Sequence, residues 1–204
     1  MIISLVNQKG GVGKTTIAVN LAGCLSERGL NTCLVDADPQ GSVLQWASIS
    51  GEHPFDVDHR PSAALLNDRK GLSRGYDHVI IDAPPAMGEI ARAILTISHL
   101  VIIPIGPSPL DIWSSKETVS LLPEARKRNR RLKAKLLICR KIVGTRVGRE
   151  AREALETYGM DVFENEISQR VAFVEAMISG RSVQSYAPGS EAASEIRLLC
   201  EEIM

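Results

Sequence analysis

Apolar and polar positions along the 204-residue chain fall into two alternating rhythms. Short apolar runs at 2–6, 32–35, 79–82, 100–103 and 136–139 are too brief for helices and read as strands buried on both faces. Between them the apolar positions recur at helical spacing. The first such stretch, 15–28, carries Ile17, Val19, Leu21 and Leu25 and meets Gly29, a residue suited to a helix C-terminus. Further helices are predicted over 42–47, 61–67, 88–97, 111–129, 148–158, 171–178 and 190–203, with Pro123 kinking or breaking the 111–129 helix. Phe55, Asp56 and Val57 suggest an edge strand, and Val162 and Phe163 a short one. Pro104, Pro107 and Pro109 suggest a stiff loop poor in N–H donors. Strands alternating with helices predict an α/β fold. Its mostly parallel twisted sheet would be covered by helices on both faces, three layers in all, as a single domain over 1–204.

The junction between the first strand and first helix changes the picture from fold to chemistry. It reads Lys9, Gly10, Gly11, Val12, Gly13, Lys14, Thr15, Thr16. Strand, glycine loop and helix form the context of a phosphate-binding P-loop. Glycines let successive backbone N–H groups turn inward toward an anion, and the helix N-terminus adds its positive dipole end. Lys14 is placed to reach the β- and γ-phosphates of a nucleotide, and the Thr15 hydroxyl to ligate Mg²⁺. The spacing departs from G-x-x-x-x-G-K-[ST], because Gln8 stands where the first glycine belongs. A second lysine, Lys9, opens the loop.

Three aspartates complete the candidate site. A parallel sheet gathers functional groups at the C-terminal ends of its strands. Asp82 closes the 79–82 run and reads as the residue that holds Mg²⁺, through water. Asp36 closes the 32–35 run and is expected to orient or activate the attacking water, with a water-mediated metal contact as a second role. Asp38 either supports that site or, preceding Pro39, closes a turn. The predicted chemistry is hydrolysis of ATP, with Lys14 and Asp36 as catalytic residues.

Composition bounds the alternatives. A hydrophobic content of 44% with 24% charged residues suits an ordinary globular domain, and no apolar run approaches the ~20 residues of a membrane span. Met1 leads straight into the first strand, so no signal peptide is expected. Cys24, Cys33, Cys139 and Cys200 show no C-x-x-C pairing and read as buried free thiols of a reducing cytoplasm. The formal net charge of zero conceals a polarity. From Glu124 to Arg152 twelve Lys/Arg face only Glu124 and Glu150, so this segment is +10 and the remainder −10. Such a segment suggests a face that meets a polyanion.

With the P-loop, the 35–42 stretch and the 79–85 stretch in hand, the chain resembles the ParA/MinD family of deviant Walker ATPases, and within it small ParF-like partition proteins. The resemblance spans essentially the whole chain. It implies ATP and Mg²⁺ as cofactors, and an ATP-dependent face-to-face homodimer in which Lys9 touches the partner's nucleotide and acts there as a catalytic residue. It implies DNA binding without sequence preference, a nucleoid-associated location, and a small cargo- or centromere-bound protein that stimulates the weak ATPase. It places Arg140 or residues near Pro107 close to the base and phosphates. The 104–111 segment resembles a proline-rich element that supports dimer and polymer contacts in that group. Candidate DNA contacts are Arg126, Arg128, Arg130, Arg131, Lys133, Arg146 and Arg149, with Arg170 and Arg181 near the region that relatives use.

Departures narrow these expectations. Without an N-terminal extension for a helix-turn-helix, sequence-specific repression is not expected. The tail, with Glu191, Glu195, Glu201 and Glu202 against Arg197, has the wrong charge for a MinD-like membrane helix. The cysteines lack the pattern of iron–sulfur relatives. Two rival readings stay open: a metabolic enzyme that moves phosphate to a small acceptor, like dethiobiotin synthetase, and a membrane-positioning ATPase.

Overall fold

In the computed structural model the described residues are 1–66, 68–86, 88–156 and 159–204, with the backbone alone at 65, 147–149 and 156. The chain runs β1 (Ile2–Leu5), α1 (Lys14–Glu27), β2 (Thr32–Asp36), α2 (Ser42–Ser50), β3 (Asp56–His59), α3 (Ala63–Leu66), α4 (Arg69–Leu72), β4 (His78–Asp82) and α5 (Glu89–Ile97). It continues through β5 (Leu100–Ile105), α6 (Pro109–Ser120), α7 (Leu122–Arg128), β6 (Lys133–Lys141), α8 (Arg146–Glu156), β7 (Ile167–Ser168), α9 (Val171–Ile178), α10 (Val183–Tyr186) and α11 (Glu191–Ile203). Two predicted helix ends, Asn67 and Tyr158, lie outside the described residues.

The seven strands form one sheet in the order β3-β2-β4-β1-β5-β6-β7, and every pairing is parallel. Alternation along the central strands splits the core in two. Ile3, Leu5, Leu34, Ile80, Ile102 and Leu137 face α1, α2, α9, α10 and α11. Their sequence neighbours Ile2, Cys33, Val35, Val79, Ile81 and Ile103 face α3 to α8. Both faces are apolar, which is why these strands read as continuous runs rather than as alternating ones. All four cysteines are buried free thiols.

Several boundaries differ from the sequence reading, each for a local reason. The fifth strand continues through Pro104 to Ile105, where a loop was expected. Residue 102 points to β1 (Val6 N–H donates to the Ile102 carbonyl, 3.0 Å), so residue 104 does too, but β1 has ended at Leu5. The missing N–H of Pro104 therefore breaks no ladder bond, and its carbonyl accepts from Asn7 Nδ2 at 2.7 Å. The predicted 111–129 helix is two: α6 ends at Ser120 and α7 starts at Leu122, with Pro123 in its first turn. Val162 makes only an isolated bridge to Leu136, and the seventh strand is Ile167–Ser168, a pair too short to show a period. The sixth strand is nine residues long and takes in Lys133, Lys135, Arg140 and Lys141 on either side of the apolar 136–139 run.

Because all strands run the same way, the chain leaves β1, β2 and β4 at one edge of the sheet. The glycine loop follows β1, which sits between β4 and β5, while Asp36 and Asp82 are the last residues of β2 and β4 and are themselves in register. The fold thus delivers the loop and both aspartates to one place.

Candidate functional site

The loop between β1 and α1 is built as a cradle. Gly11 and Gly13 have φ of 72° and 99°, values that favour glycine, and Gly13 stands at the N-terminus of α1. A Cβ placed on Gly10, Gly11 or Gly13 would meet nothing within 4 Å, so the space over the loop is open. Lys14 lies beneath it, 8% exposed, with Nζ donating to the Lys9 carbonyl at 3.2 Å. Burial lowers its pKa, opposed by the charges of Asp82 and Asp38. A buried ammonium with one backbone acceptor is poised for an anion.

Beside it, Thr15 Oγ1 donates to Asp82 Oδ2 at 2.5 Å. Asp82 is 2% exposed, and its Oδ1 is buried with no protein partner. Burial pushes the Asp82 carboxyl up to about 7, reinforced by the charges of Asp36 and Asp38 and resisted by Thr15 and Lys14. The orphaned oxygen, the hydroxyl beside it and the open cradle together fit a Mg²⁺–nucleotide complex. Thr15 and Asp82 would hold the ion, which when bound neutralises charge on the phosphates.

Asp36 is placed otherwise than expected. Its side chain is fully buried and both oxygens are taken by backbone amides: Oδ1 accepts from Asp38 N–H (3.0 Å), Oδ2 from Val43 (2.8 Å) and Leu44 (3.2 Å). The carboxylate anchors the start of α2, which no side chain at its own N-cap, Gly41, satisfies. Three of its roughly four lone-pair sites are thus taken by amides of its own chain, and the residues lining the cavity over the loop do not include it. Asp38 is the carboxylate that looks into the site. It is half-buried and, with Gly10, Gly11, Gly13, Lys14, Thr15, Thr16, Ala83 and Pro85, lines a cavity of about 300 Å³ over the loop. One of its oxygens closes the following turn through Gln40 N–H (2.9 Å), so the turn and site roles coexist.

Lys9 differs from Lys14 in direction. Its backbone N–H donates to Asn7 Oδ1 (3.0 Å), while its ammonium leaves the loop and pairs with Asp111 on α6. Burial alone would raise the Asp111 pKa, but bonds from Lys9 and Ser108 hold it below the usual carboxylate range. The loop entrance is also tied to α6 through Gln8 N–H and Thr118 Oγ1 (3.3 Å).

Arg140 has a φ of 58°, the sole non-glycine positive φ among the described residues. It is the extra residue where the β6–β7 register steps from Cys139–Ile167 to Lys141–Ser168, a bulge that throws its side chain across the sheet edge. Arg140 Nη1 then donates to the Gly11 carbonyl at 2.9 Å. A second cavity of about 300 Å³ opens here, continuous with the first through Gly11, Gly13 and Thr16. It is lined by Ile17, Cys139, Arg140, Ile167, Phe173 and Val174, an apolar slot fit for a flat ring beside the phosphate cradle. Apart from Arg140, the sequence reading missed this lining. Its signal was faint, since Ile167 and Phe173 belong to different elements and meet only in the fold.

The basic segment is not one surface. Lys135 pairs with Glu202, Lys141 with Glu166, Arg146 with Glu150, and Arg152 with Glu164 and Glu166. Arg170, expected near DNA, is held by Glu195 (2.8 Å) and Glu191 (3.8 Å) and stands at the N-terminus of α9. Arg181 is exposed just past α9, and the Arg149 side chain lies outside the described residues. Arg126, Arg128, Arg130, Arg131 and Lys133 are exposed and carry no ion pair among the described residues.

Residues 3–183 match the family model described as the CobQ/CobB/MinD/ParA nucleotide binding domain. The chain belongs to that family. It is 32% identical to the maintenance of carboxysome distribution protein A of Halothiobacillus neapolitanus, across 99% of this chain and 95% of that one. It is 30% identical to the chromosome-partitioning ATPase Soj of Thermus thermophilus, across 99% and 94%. Among solved structures, apo McdA of Cyanothece superposes with a TM-score of 0.78 at 18% identity, covering 100% of this chain and 99% of that one. The Pyrococcus horikoshii MinD complexed with Mg-ADP gives 0.77 at 22%, covering 99% and 95%. At those identities the structural likeness speaks to the fold. ParA/MinD proteins are ATPases, and the chain is an ATPase of this family with ATP and Mg²⁺ as cofactors. Among its described residues no helix is long and apolar enough to cross a membrane.

Proposed function

We propose that this chain is an ATP-switched positioning protein. ATP brings two copies together across their nucleotide faces, the pair binds DNA without sequence preference on the nucleoid, and a cargo-bound partner protein triggers hydrolysis and release. The observation that carries the reading is the direction of Lys9. A single lysine, Lys14, fills the in-cis role at the phosphate cradle. Lys9 stands at the rim with its side chain 38% exposed, paired outward with Asp111. A rim lysine of this kind is available to a second molecule's nucleotide and is unneeded by its own.

The similarity to a protein named for carboxysome distribution and to a chromosome-partitioning ATPase, each over nearly the full chain, supports positioning over metabolic phosphate transfer. The cargo that fits is a protein microcompartment, a plasmid or a chromosome. Lys9 serves the dimer step, Lys14 binds phosphate, and Asp38, rather than Asp36, faces the attacking water. Sedimentation velocity with ATP and Mg²⁺, run beside binding of a labelled random duplex over a salt series, tests the reading. Dimers that form with ATP, and duplex binding that collapses as salt rises, are expected. A protein that stays monomeric and free of DNA at low salt with ATP is not a positioning ATPase of this kind.

A further inference from the structure

The ring slot beside the phosphate cradle has apolar walls, but one end of it is polar. That end is the segment 168–170, which leads from β7 into α9 and lines the slot together with Phe173 and Val174. β7 pairs parallel to β6, so its end arrives at the sheet edge that carries the glycine loop. Apolar walls hold a flat ring without regard to its substituents. A few placed polar groups are what select one ring over another.

Each residue of this segment is fastened. Ser168 N–H donates to Glu195 Oε2 at 3.0 Å, and Gln169 N–H to the Lys141 carbonyl at 2.9 Å. Arg170 donates through Nε (2.9 Å) and Nη2 (2.8 Å) to Glu195 Oε1. A single carboxylate on α11, its side chain 14% exposed, thus clasps the residues on both sides of Gln169 through charge-assisted bonds.

Gln169 itself is exposed, and its carboxamide has no hydrogen-bond partner among the described residues. The other polar side chains at the slot are differently disposed. Arg140 is taken by the Gly11 carbonyl and Arg170 by Glu195, while Thr16 and Ser168 offer single hydroxyls. Gln169 is the one side chain lining the slot that sets a neutral donor beside an acceptor. Adenine carries the complementary pair, an amino group next to a ring nitrogen, and a carboxamide satisfies both at once.

We propose that Gln169 reads the amino edge of the adenine base, and that Glu195 is a positioning residue that holds it there through Ser168 and Arg170. The inference rests on the reading of the slot as the seat of the nucleotide's ring, and goes beyond it by naming the side chain that selects the base. The phosphate cradle then supplies affinity for any nucleotide, and Gln169 supplies the preference among bases.

The test titrates the full chain by calorimetry, in the presence of Mg²⁺, with ADP and with purine riboside diphosphate, in which hydrogen replaces the amino group. Diphosphates keep turnover and ATP-dependent association out of the measurement. Wild type prefers ADP by about five-fold or more, the range of one or two neutral hydrogen bonds. Gln169→Ala brings the preference within about two-fold by weakening ADP and sparing the analogue. Glu195→Ala also brings it within about two-fold, although its side chain does not line the slot. A preference that Gln169→Ala retains, or an equal loss of affinity for both nucleotides, makes Gln169 structural and overturns the proposal. A wild type that binds the two diphosphates equally also overturns it and leaves the nucleotide site standing. Preference lost in Gln169→Ala but kept in Glu195→Ala overturns the positioning role of Glu195. Failure of the wild type to bind either diphosphate overturns the nucleotide site itself, and the proposal with it.

Discussion

Lys9 and Asp111, 102 residues apart in the chain, meet in an ion pair at the entrance of the phosphate loop. The pair links the loop after β1 to the helix after β5, and Ser108 Oγ donates to the other Asp111 oxygen at 2.7 Å. If Lys9 serves a second copy's nucleotide, this pair competes with that contact. Asp111→Ala therefore lowers the protein concentration at which ATP produces dimers, by several-fold. The pair is partly exposed, so stability changes by about 1 kcal/mol or less. Sedimentation equilibrium with and without ATP reads the shift, and an unchanged dimerisation constant removes Asp111 from control of Lys9.

The two lysines of the loop separate on mutation. Lys14→Ala removes the buried ammonium and weakens nucleotide binding by at least ten-fold in calorimetry, about 1.4 kcal/mol or more. Lys9→Ala leaves binding to the monomer within about three-fold, because its side chain points away from the cradle, and abolishes the ATP-dependent dimer. Equal losses of nucleotide affinity in both variants would put Lys9 in the cis site after all.

Asp36 and Asp38 separate by readout. Asp36→Ala strands the amides of Asp38, Val43 and Leu44 in a buried place, costing about 2–4 kcal/mol of stability, visible as a lowered Tm. Asp38→Ala melts within a few degrees of wild type and still binds ATP, while turnover falls by about a hundred-fold or more. Rapid hydrolysis by Asp38→Ala would return the search for the water-facing group to the rest of the cavity lining.

The raised pKa of Asp82 has a direction in pH. Protonation is easier in the folded protein, at about 7, than in the unfolded chain, at 3.8. The resulting stabilisation is complete below pH 3.8 and is lost as pH rises through about 7. Measured as the difference between wild type and Asp82→Asn, whose side chain does not titrate, the loss between pH 4 and pH 8 is on the order of 4 kcal/mol without nucleotide. Mg²⁺ with ATP offsets it in the wild type at pH 8 and does so far less in the variant. Denaturant titrations at the two pH values decide the matter, and a pH-independent difference would mean that Asp82 stays ionised in the apo fold.

Legibility tracked the range of the interaction. The apolar runs, the glycines of the loop and Asp82 at the end of β4 were readable because each is a local pattern: a short unbroken apolar run, a residue permissive at positive φ, a charge closing an apolar strand. Pro123 was enough to expect a kink or a break within 111–129, and the structure has the break at Leu121. The anchoring of Asp36 to the start of α2 was not readable because its partners, Val43 and Leu44, are amides, which sequence does not distinguish from any others. The charge run from Glu124 to Arg152 was read as one surface because its partners Glu164, Glu166 and Glu202 are supplied from outside it.

By itself, then, the order of residues determined a parallel α/β sheet with a nucleotide loop at its centre, since burial and glycine geometry act over a few residues at a time. The tertiary structure alone decided that Asp38 lines the cavity, that the bulge at Arg140 carries it to the Gly11 carbonyl, that Lys9 turns outward to Asp111, and that Lys135, Lys141 and Arg152 are each taken by a glutamate. Those outcomes depend on side chains brought together from distant strands and helices, and only the packing of the sheet sets which of them meet.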